Sequence, residues 1–251
     1  MIRFRLIAAF SIAPLLMCLA ASQAQAQIPD TFENLQVLPE NISKQELMQI
    51  MRKFAGDLGV RCSHCHEGPD NLQGMDFATD EKPAKKVARS MMKMVDAIND
   101  KHLAGVETGR ELRVEVTCQT CHSGLNVPRT IDGLIADRLK SDGIESARAL
   151  YRDLREQHFG SAAYDFSSKP LNTLAERVAR GGQVDEGLAL IDLNIEFHPE
   201  DGYTRILQGG ILMSAGKRDQ AIAAFEKALE IDPENGWARQ QLERIRGAGE
   251  K

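Results

Sequence analysis

The chain has 251 residues, of which 43% are hydrophobic and 27% charged, and it carries a formal net charge of −5. This length and composition are ordinary for a soluble globular protein with one or two domains. A mildly acidic chain without a basic block argues against a nucleic-acid partner, and we expect no nucleic acid among its ligands.

The first 26 residues have the organisation of a secretory signal peptide. Arg3 and Arg5 precede an apolar run, Leu6 to Ala21, and the small-residue stretch ASQAQA ends at Ala26. This order predicts a signal peptide over residues 1–26 and a periplasmic location for the mature chain. Retention of the signal as an anchor is the alternative, and it leaves peripheral membrane association open.

The first predicted helix follows an irregular segment that ends near Asn41. Ser43 and Glu46 form a capping box, and apolar residues recur at helical spacing until Gly59 ends the helix. A C-x-x-C-H motif comes directly after it. The motif consists of Cys62, Cys65 and His66.

The second predicted helix repeats this arrangement after a polar loop, Glu67 to Asp80. Pro83 lies in its first turn, where a proline is tolerated, and a looser segment containing Gly105 follows the helix. A second C-x-x-C-H motif then begins 56 residues after the first. It consists of Cys118, Cys121 and His122. The unit of helix, loop and motif therefore occurs twice.

The spacing within each motif suits one ligand particularly well. A single helical turn projects thiols at positions i and i+3 to the same side, and the adjacent histidine can turn its imidazole toward the same centre. Both thiols can then form thioethers with a haem while the histidine binds its iron, which is the attachment pattern of c-type haem. The pair predicts two haem c groups, with iron bound by His66 and His122. Structural zinc or disulfides between the cysteines are the alternative interpretations.

Haem iron then needs a second axial ligand or keeps an open position. Met51 lies in the middle of the apolar stripe of the first helix, and Met91 and Met94 share the stripe of the second. A thioether from these helices would give histidine/methionine ligation, which is found in electron-carrying cytochromes. The pattern does not choose between Met91 and Met94. An iron left open would instead indicate a peroxidase-like haem enzyme or a haem sensor.

Beyond Pro128 the chain has an internal period of 34 residues, in which Gly182 corresponds to Gly216 and Pro199 to Pro233. The second copy has small and aromatic residues at the offsets of a tetratricopeptide repeat. They are Gly209, Ala221, Phe225 and Ala228.

The first copy, roughly Ser168 to Asp201, is degenerate and has Gly187 where the repeat prefers alanine. Each repeat buries its apolar face only against a neighbour, so two copies need caps. We expect helices from Gly143 to Gln157 and from Trp237 to Arg246 to supply them.

The segment from Phe32 to Pro128 resembles the cytochrome c subunit of photosynthetic reaction centres, and especially the shorter dihaem proteins that share its haem-binding domain. The stretches QIMRKF, MMKM and the two motifs carry the resemblance. It implies that Met51 and Met91, rather than Met94, are the distal iron ligands. The full subunit carries four such haems in two pairs, whereas this chain has one pair of motifs.

These observations predict a mainly α protein with two domains. Residues 27–135 form a small dihaem c-type cytochrome domain of helix-turn-C-x-x-C-H units, and residues 143–248 form a tetratricopeptide-like helical-hairpin domain. We expect an electron carrier that serves redox partner proteins and is not an enzyme. The repeat region is expected to bind a protein or peptide ligand.

Overall fold

The computed structural model describes residues 28–106 and 114–247. The predicted signal peptide lies outside these ranges, and its prediction stays untested. Within the described ranges the chain forms helices and no β-strand, and an antiparallel bridge joins Glu67 to Asp76. None of the helices in these ranges is both long enough and apolar enough to cross a bilayer. The fold is therefore mainly α, as predicted.

Helices α1 and α2 precede the two motifs, and the first motif lies on a 3₁₀ turn. In chain order these elements are α1 (Lys44–Leu58), the 3₁₀ turn (Cys62–His64), α2 (Pro83–Ala97), a π-helical turn (Ile98–Leu103) and α3 (Cys118–His122). The remaining helices are α4 (Ile131–His158), α5 (Ser168–Arg180), α6 (Val184–Phe197), α7 (Gly202–Ser214), α8 (Arg218–Ile231) and α9 (Gly236–Gly247).

Helix α1 has the ends that its sequence predicts. The Ser43 hydroxyl accepts a hydrogen bond from the Glu46 N–H at 3.2 Å, which satisfies one of the free donors of the first turn. Gly59 ends the helix in the left-handed conformation, with φ at 63°, and its N–H caps the carbonyls of Ala55 and Gly56. Because Gly59 turns the chain sharply, the first motif starts one turn beyond the helix.

The C-terminal half is built from antiparallel helical hairpins, α5 with α6 and α7 with α8, and α9 packs against α8. Small residues let the two helices of each hairpin approach. A Cβ atom on Gly209 would lie 2.6 Å from Cε1 of Phe225, and one on Gly187 would lie 2.8 Å from Cβ of Ala179. The glycine that made the first repeat look degenerate is therefore required by the close contact of α5 and α6.

Helix α4 begins earlier than predicted, because it starts at Ile131 and not at Gly143. Gly143 instead breaks the helix, with φ at 80°, so that two helical segments meet at a bend. Ile131 and Ile135 are buried in the same apolar cluster as residues of α5 and α6. Ile131 and Ile135 lie one helical turn apart and bury the same face, so the helix starts at Ile131 and not at the glycine. The predicted domain boundary at residue 135 stays a prediction.

The apolar core is unevenly distributed along the chain. Two clusters of buried apolar residues lie entirely between Ile131 and Ile245, one around α4 to α6 and the other around α7 to α9. Among the described residues before Ile131, the buried apolar side chains are Ile42, Leu47 and Met75. Helix α2 is strongly amphipathic, yet none of its residues is buried. The half that contains the motifs therefore leaves much apolar surface uncovered.

Candidate haem sites

A cavity of about 720 Å³ opens between α1, α2, the loop that joins them and the extended segment before α1. Its volume lies within the roughly 300–1,000 Å³ that is usual for cofactor sites. Side chains from both motifs line its wall, together with methionines from α1 and α2. The fold thus brings residues that are far apart in sequence to one concave surface.

Hydrogen bonds within one turn and to α2 fix the first motif. The Cys65 N–H donates to the Cys62 carbonyl at 3.2 Å, and the His66 N–H donates to the same oxygen at 3.0 Å. Both thiols are free, as thioether formation requires. The Lys82 ammonium donates to the Ser63 carbonyl at 2.6 Å, which ties the turn to the start of α2. The expected α-helical turn is a tighter 3₁₀ turn here, but it keeps both cysteines and the histidine together.

His66 has a half-buried imidazole whose edge meets the ring of Phe77, with ring centroids 5.1 Å apart. Burial lowers the pKa of His66, and the nearby Lys85 cation acts in the same direction. The backbone of Phe77 acts against this shift. It does not form a hydrogen bond with the buried Nδ1 of His66, which has no hydrogen-bond partner among the described residues. Burial also raises the pKa of Cys65. Burial and the Lys85 cation therefore favour the neutral imidazole, which is the form that binds metal.

Basic residues of α2 hold the loop over the first motif. The Lys85 ammonium donates to the carbonyls of Phe77, Ala78 and Thr79 at 2.8, 3.0 and 2.8 Å. Arg89 donates to the Asp80 carboxylate at 2.8 Å, and this hydrogen bond lowers the pKa of Asp80 to about 2. Sequence reasoning did not find these roles, because the partners are backbone carbonyls that carry no sequence signal.

Asp80 also connects the loop to the extended segment that precedes α1. The Asn34 amide donates to the Asp80 carboxylate at 2.9 Å and to the Ala78 carbonyl at 2.6 Å. Arg89 in turn donates to the Asn34 carbonyl at 3.1 Å. One side of the cavity is therefore closed by a polar network that joins three separate parts of the chain.

The second motif forms the short helix α3. The side chains of Thr117 and Thr120 form a capping box at the start of α3. The Asn99 side chain forms two hydrogen bonds with the backbone of Val116, the residue before Thr117. Asn99 donates to the Val116 carbonyl at 2.8 Å, and the Val116 N–H donates to the Asn99 side-chain oxygen at 2.9 Å. Asn99 thus fixes the second motif to the π-helical end of α2. No sequence pattern indicated this role, since a single asparagine after a helix is usually a surface residue.

His122 has the hydrogen bond that metal-binding histidines commonly make. Its Nδ1–H donates to the Leu125 carbonyl at 2.8 Å, because a carbonyl oxygen can only accept. The proton on Nδ1 leaves the Nε2 lone pair free for a metal ion. The sequence identified His122, but not the carbonyl that orients it.

The end of α1 also touches the end of the second motif. The Gly124 N–H donates to the Asp57 carbonyl at 2.9 Å, and a Cβ atom on Gly59 would lie 2.1 Å from the Gly124 oxygen. The Asp57 side chain is buried and bonds to Lys53 at 2.9 Å. Burial raises the pKa of Cys118, and the Asp57 carboxylate adds to this shift. Helix α1 therefore positions both motifs.

The structure places most of the predicted site residues on the cavity wall. Seven of the eight line it: Met51, Cys62, Cys65, His66, Met91, Cys118 and His122. Cys121 is exposed and is not among the lining residues. Met48 and Met92 also line the cavity, whereas Met94 does not. Position on the cavity wall thus distinguishes Met91 from Met94, which share the apolar stripe of α2. The ligand roles of Met51 and Met91 stay predictions.

The residues present fit a haem. The apolar face of α2 that lines the cavity is uncovered, with Val87 56% exposed and Met91 36% exposed, and a large apolar ring system would cover such a face. The four thiols are free in the described structure, contrary to the disulfide interpretation. In the described ranges, no three His, Cys, Asp or Glu side chains cluster as metal ligands. A haem in this wall would be held by the cysteines and bound by the histidines and methionines.

Comparisons with known proteins identify the family to which the chain is similar. The family model of the photosynthetic reaction centre cytochrome C subunit matches residues 9–184. Cytochrome c-554 of Chloroflexus aurantiacus is 33% identical over 115 residues, which cover 46% of this chain and 25% of that protein. The chain thus spans about a quarter of the length of this curated relative.

Two solved structures are similar to about half of the chain. The first TPR of Spaghetti (RPAP3) bound to the HSP90 peptide SRMEEVD has a TM-score of 0.34 at 16% identity, covering 48% of this chain and 94% of that one. The first TPR domain of human RPAP3 has a TM-score of 0.33 at 16% identity, covering 47% and 88%.

Proposed function

The chain belongs to the photosynthetic reaction centre cytochrome C subunit family, and from that premise we propose that it is a periplasmic dihaem cytochrome that passes electrons between redox partner proteins. Membership and the likeness to cytochrome c-554 make it a c-type cytochrome, an electron carrier with covalently bound haem. The number of haems, their ligands and the location are the parts that we propose.

The observation that carries the proposal is the shared cavity. Residues of both motifs and the two predicted methionines line one wall of about 720 Å³, although they are spread from Met51 to His122 in the sequence. Haem iron, when bound, supplies reversible one-electron chemistry between its ferric and ferrous states. Every other part of the mechanism belongs to side chains of this protein.

Each group of residues has a distinct task in this mechanism. Cys62, Cys65, Cys118 and Cys121 would hold the two porphyrins by thioether bonds. His66, His122, Met51 and Met91, which line the cavity, would supply the ligands to the two irons. A histidine and a methionine for each haem would leave no site for water or a small substrate, so the protein would exchange only electrons.

Rigid attachment of the motifs supports electron transfer, because little structural rearrangement then accompanies a change of charge. The first motif is tied to α2 by Lys82, and the second is tied to the end of α2 by Asn99. The bond from Gly124 to the Asp57 carbonyl connects the second motif to α1. These contacts hold both motifs in place on the cavity wall.

Sequence features support the partners and the location that we propose. A signal peptide over residues 1–26 would export the chain to the periplasm, and a retained signal would hold it at the membrane surface. The helical hairpins would offer a surface for a protein or peptide ligand. The acidic net charge of −5 supports protein partners and not nucleic acid.

Carbon monoxide binding tests the ligand set. The full chain should be produced in cells that attach haem, reduced and mixed with carbon monoxide. We expect slow or negligible binding by the native protein, and rapid binding at one haem in Met51→Ala and in Met91→Ala. Met94→Ala is the matched control, because Met94 is on the same helix but not on the cavity wall.

Three outcomes would contradict the proposal. Rapid binding by the native protein would indicate an open iron, and hence a haem enzyme or a sensor. Rapid carbon monoxide binding in Met94→Ala, with none in Met91→Ala, would make Met94 the iron ligand in place of Met91. A colourless protein that contains zinc and no iron would support the zinc interpretation.

A further inference from the structure

The two motifs lie in different electrostatic surroundings, although their sequences are similar. Two basic side chains of α2, Lys85 and Arg89, line the cavity beside the first motif. A buried carboxylate, Asp57, adjoins the second motif through Cys118. We propose, building on the dihaem function proposed above, that the haem of Cys62–His66 has the higher reduction potential and the haem of Cys118–His122 the lower.

The cations at the first site are fixed in place. The side chains of Lys85 and Arg89 are 11% and 14% exposed. Lys85 bonds to three successive carbonyls, so its charge cannot swing into water. Lys82, bonded to Ser63 inside the motif, adds a third cation.

Two carboxylates partly balance these charges. Asp80 pairs with Arg89 at 2.8 Å and with Lys85 at 3.5 Å. Asp76 accepts hydrogen bonds from the backbone N–H groups of Ala78 and Thr79. The Asp80 side chain is 29% exposed, more than those of Lys85 and Arg89, so water screens its charge more and the field of the buried cations prevails near His66.

The second site has the opposite balance. Asp57 is 7% exposed, whereas its partner Lys53 has a side chain that is 58% exposed. Water screens the lysine charge far more effectively than it screens the buried carboxylate. The Coulomb field near Cys118 is therefore dominated by the negative charge.

The histidines differ in the same sense. The hydrogen bond from His122 Nδ1 to the Leu125 carbonyl makes the imidazole a more basic ligand. His66 has no such bond, since its buried Nδ1 has no hydrogen-bond partner within the described residues. A more basic ligand stabilises the ferric state, which carries one more positive charge than the ferrous state.

Both differences act in one direction. Positive charge near the first iron disfavours its ferric state, and negative charge with a basic histidine favours the ferric state at the second. In a protein that carries one electron, the electron would reside at the first motif. Electron transfer from the second site to the first would therefore be downhill, and the reverse transfer uphill.

Spectroelectrochemical titration of the haem-loaded full chain tests this order. We expect two one-electron steps. The family resemblance pairs each methionine with the motif that follows its helix, so Met91 would be the ligand of the second haem, and Met91→His should lower the lower step because histidine lowers the potential relative to methionine. Asp57→Asn should raise that lower step, and Lys85→Gln should lower the upper step. A shift equivalent to a tenfold change in the ferric-to-ferrous ratio corresponds to about 59 mV for one electron.

Matched controls separate charge from structure. Glu46→Gln on α1 and Lys86→Gln on α2 remove exposed charges and should leave both steps in place. Lys85→Arg keeps the cation and should restore the upper step. If Lys85→Gln does not fold, Asp57→Asn together with Met91→His still decides the question.

The proposal is overturned if Met91→His moves the upper step, if Asp57→Asn leaves the lower step unchanged, or if the two steps coincide. Intact mass measured before the titration distinguishes a different failure. A chain with fewer than two haems would contradict the dihaem function itself, whereas two haems in the reverse order would contradict only this inference.

Discussion

Replacing Gly59 by alanine tests how strictly α1 positions the two motifs. Gly59 ends the helix with φ at 63°, and the carbonyl of Gly124, just beyond the second motif, packs against it. A Cβ atom added there would lie 2.1 Å from the Gly124 oxygen and 3.0 Å from its carbonyl carbon. Both atoms belong to the backbone, so no side-chain rotation can relieve the clash.

The expected cost has two parts. A residue with a side chain in the left-handed region costs roughly 1–2 kcal/mol more than glycine. Forcing backbone apart in a packed region costs about 1–3 kcal/mol more. We therefore expect Gly59→Ala to lower the free energy of unfolding by roughly 2–5 kcal/mol. The displaced segment is that of the second motif, so the absorption and potential of the second haem should change most.

Gly56→Ala is the matched control, because Gly56 lies in the same helix and a Cβ atom there would meet nothing within 4 Å. Alanine at this interior position should raise the free energy of unfolding by up to about 1 kcal/mol. Urea titration of the two haem-loaded variants, followed by haem absorption and circular dichroism, measures the difference. Equal stability of Gly59→Ala and Gly56→Ala would refute the reasoning.

Asn99→Ala should lower the free energy of unfolding by about 1–3 kcal/mol, because two hydrogen bonds to Val116 are lost. It should change the absorption spectrum of the second haem and not that of the first. Gly209→Ala should destabilise the repeat hairpin by about 1–3 kcal/mol, because its Cβ would lie 2.6 Å from Phe225, and thermal unfolding measures this loss. The pKa of Asp80 falls from 3.8 to about 2 on folding, so its stabilising contribution is complete above pH 4 and lost as the pH falls toward 2. Asp80→Asn should therefore be less stable than the native chain at pH 6, and equally stable near pH 2.

Local patterns predicted the elements that depend on local chemistry. The start of α1 at Ser43 and its end at Gly59 follow from capping, and Pro83 marks the first turn of α2. The helical hairpins follow from the period of 34 residues. These features depend on residues a few positions apart, so a single sequence contains them.

The misjudged features depend on contacts between distant segments. Gly143 looked like the start of a helix, but Ile131 and Ile135 bury against α5 and α6 and extend α4 toward the motifs. Burial against another helix, and not a capping residue, decides that boundary.

The candidate site divides in the same way. The motif residues could be identified from spacing alone, because haem attachment fixes their order. Asn99, Lys85 and the Leu125 carbonyl could not, since they act through backbone groups that the fold brings close. Met91 was separable from Met94 only through the family resemblance, and the cavity wall now gives an independent reason to prefer it.

The intact mass of the full chain, purified from cells that attach haem, tests the central claim most directly. The account predicts a polypeptide that carries two covalently bound haems, and one haem after Cys118 and Cys121 are both replaced by alanine. A native chain that carries one haem or none, although a known c-type cytochrome matures normally in the same cells, would contradict it.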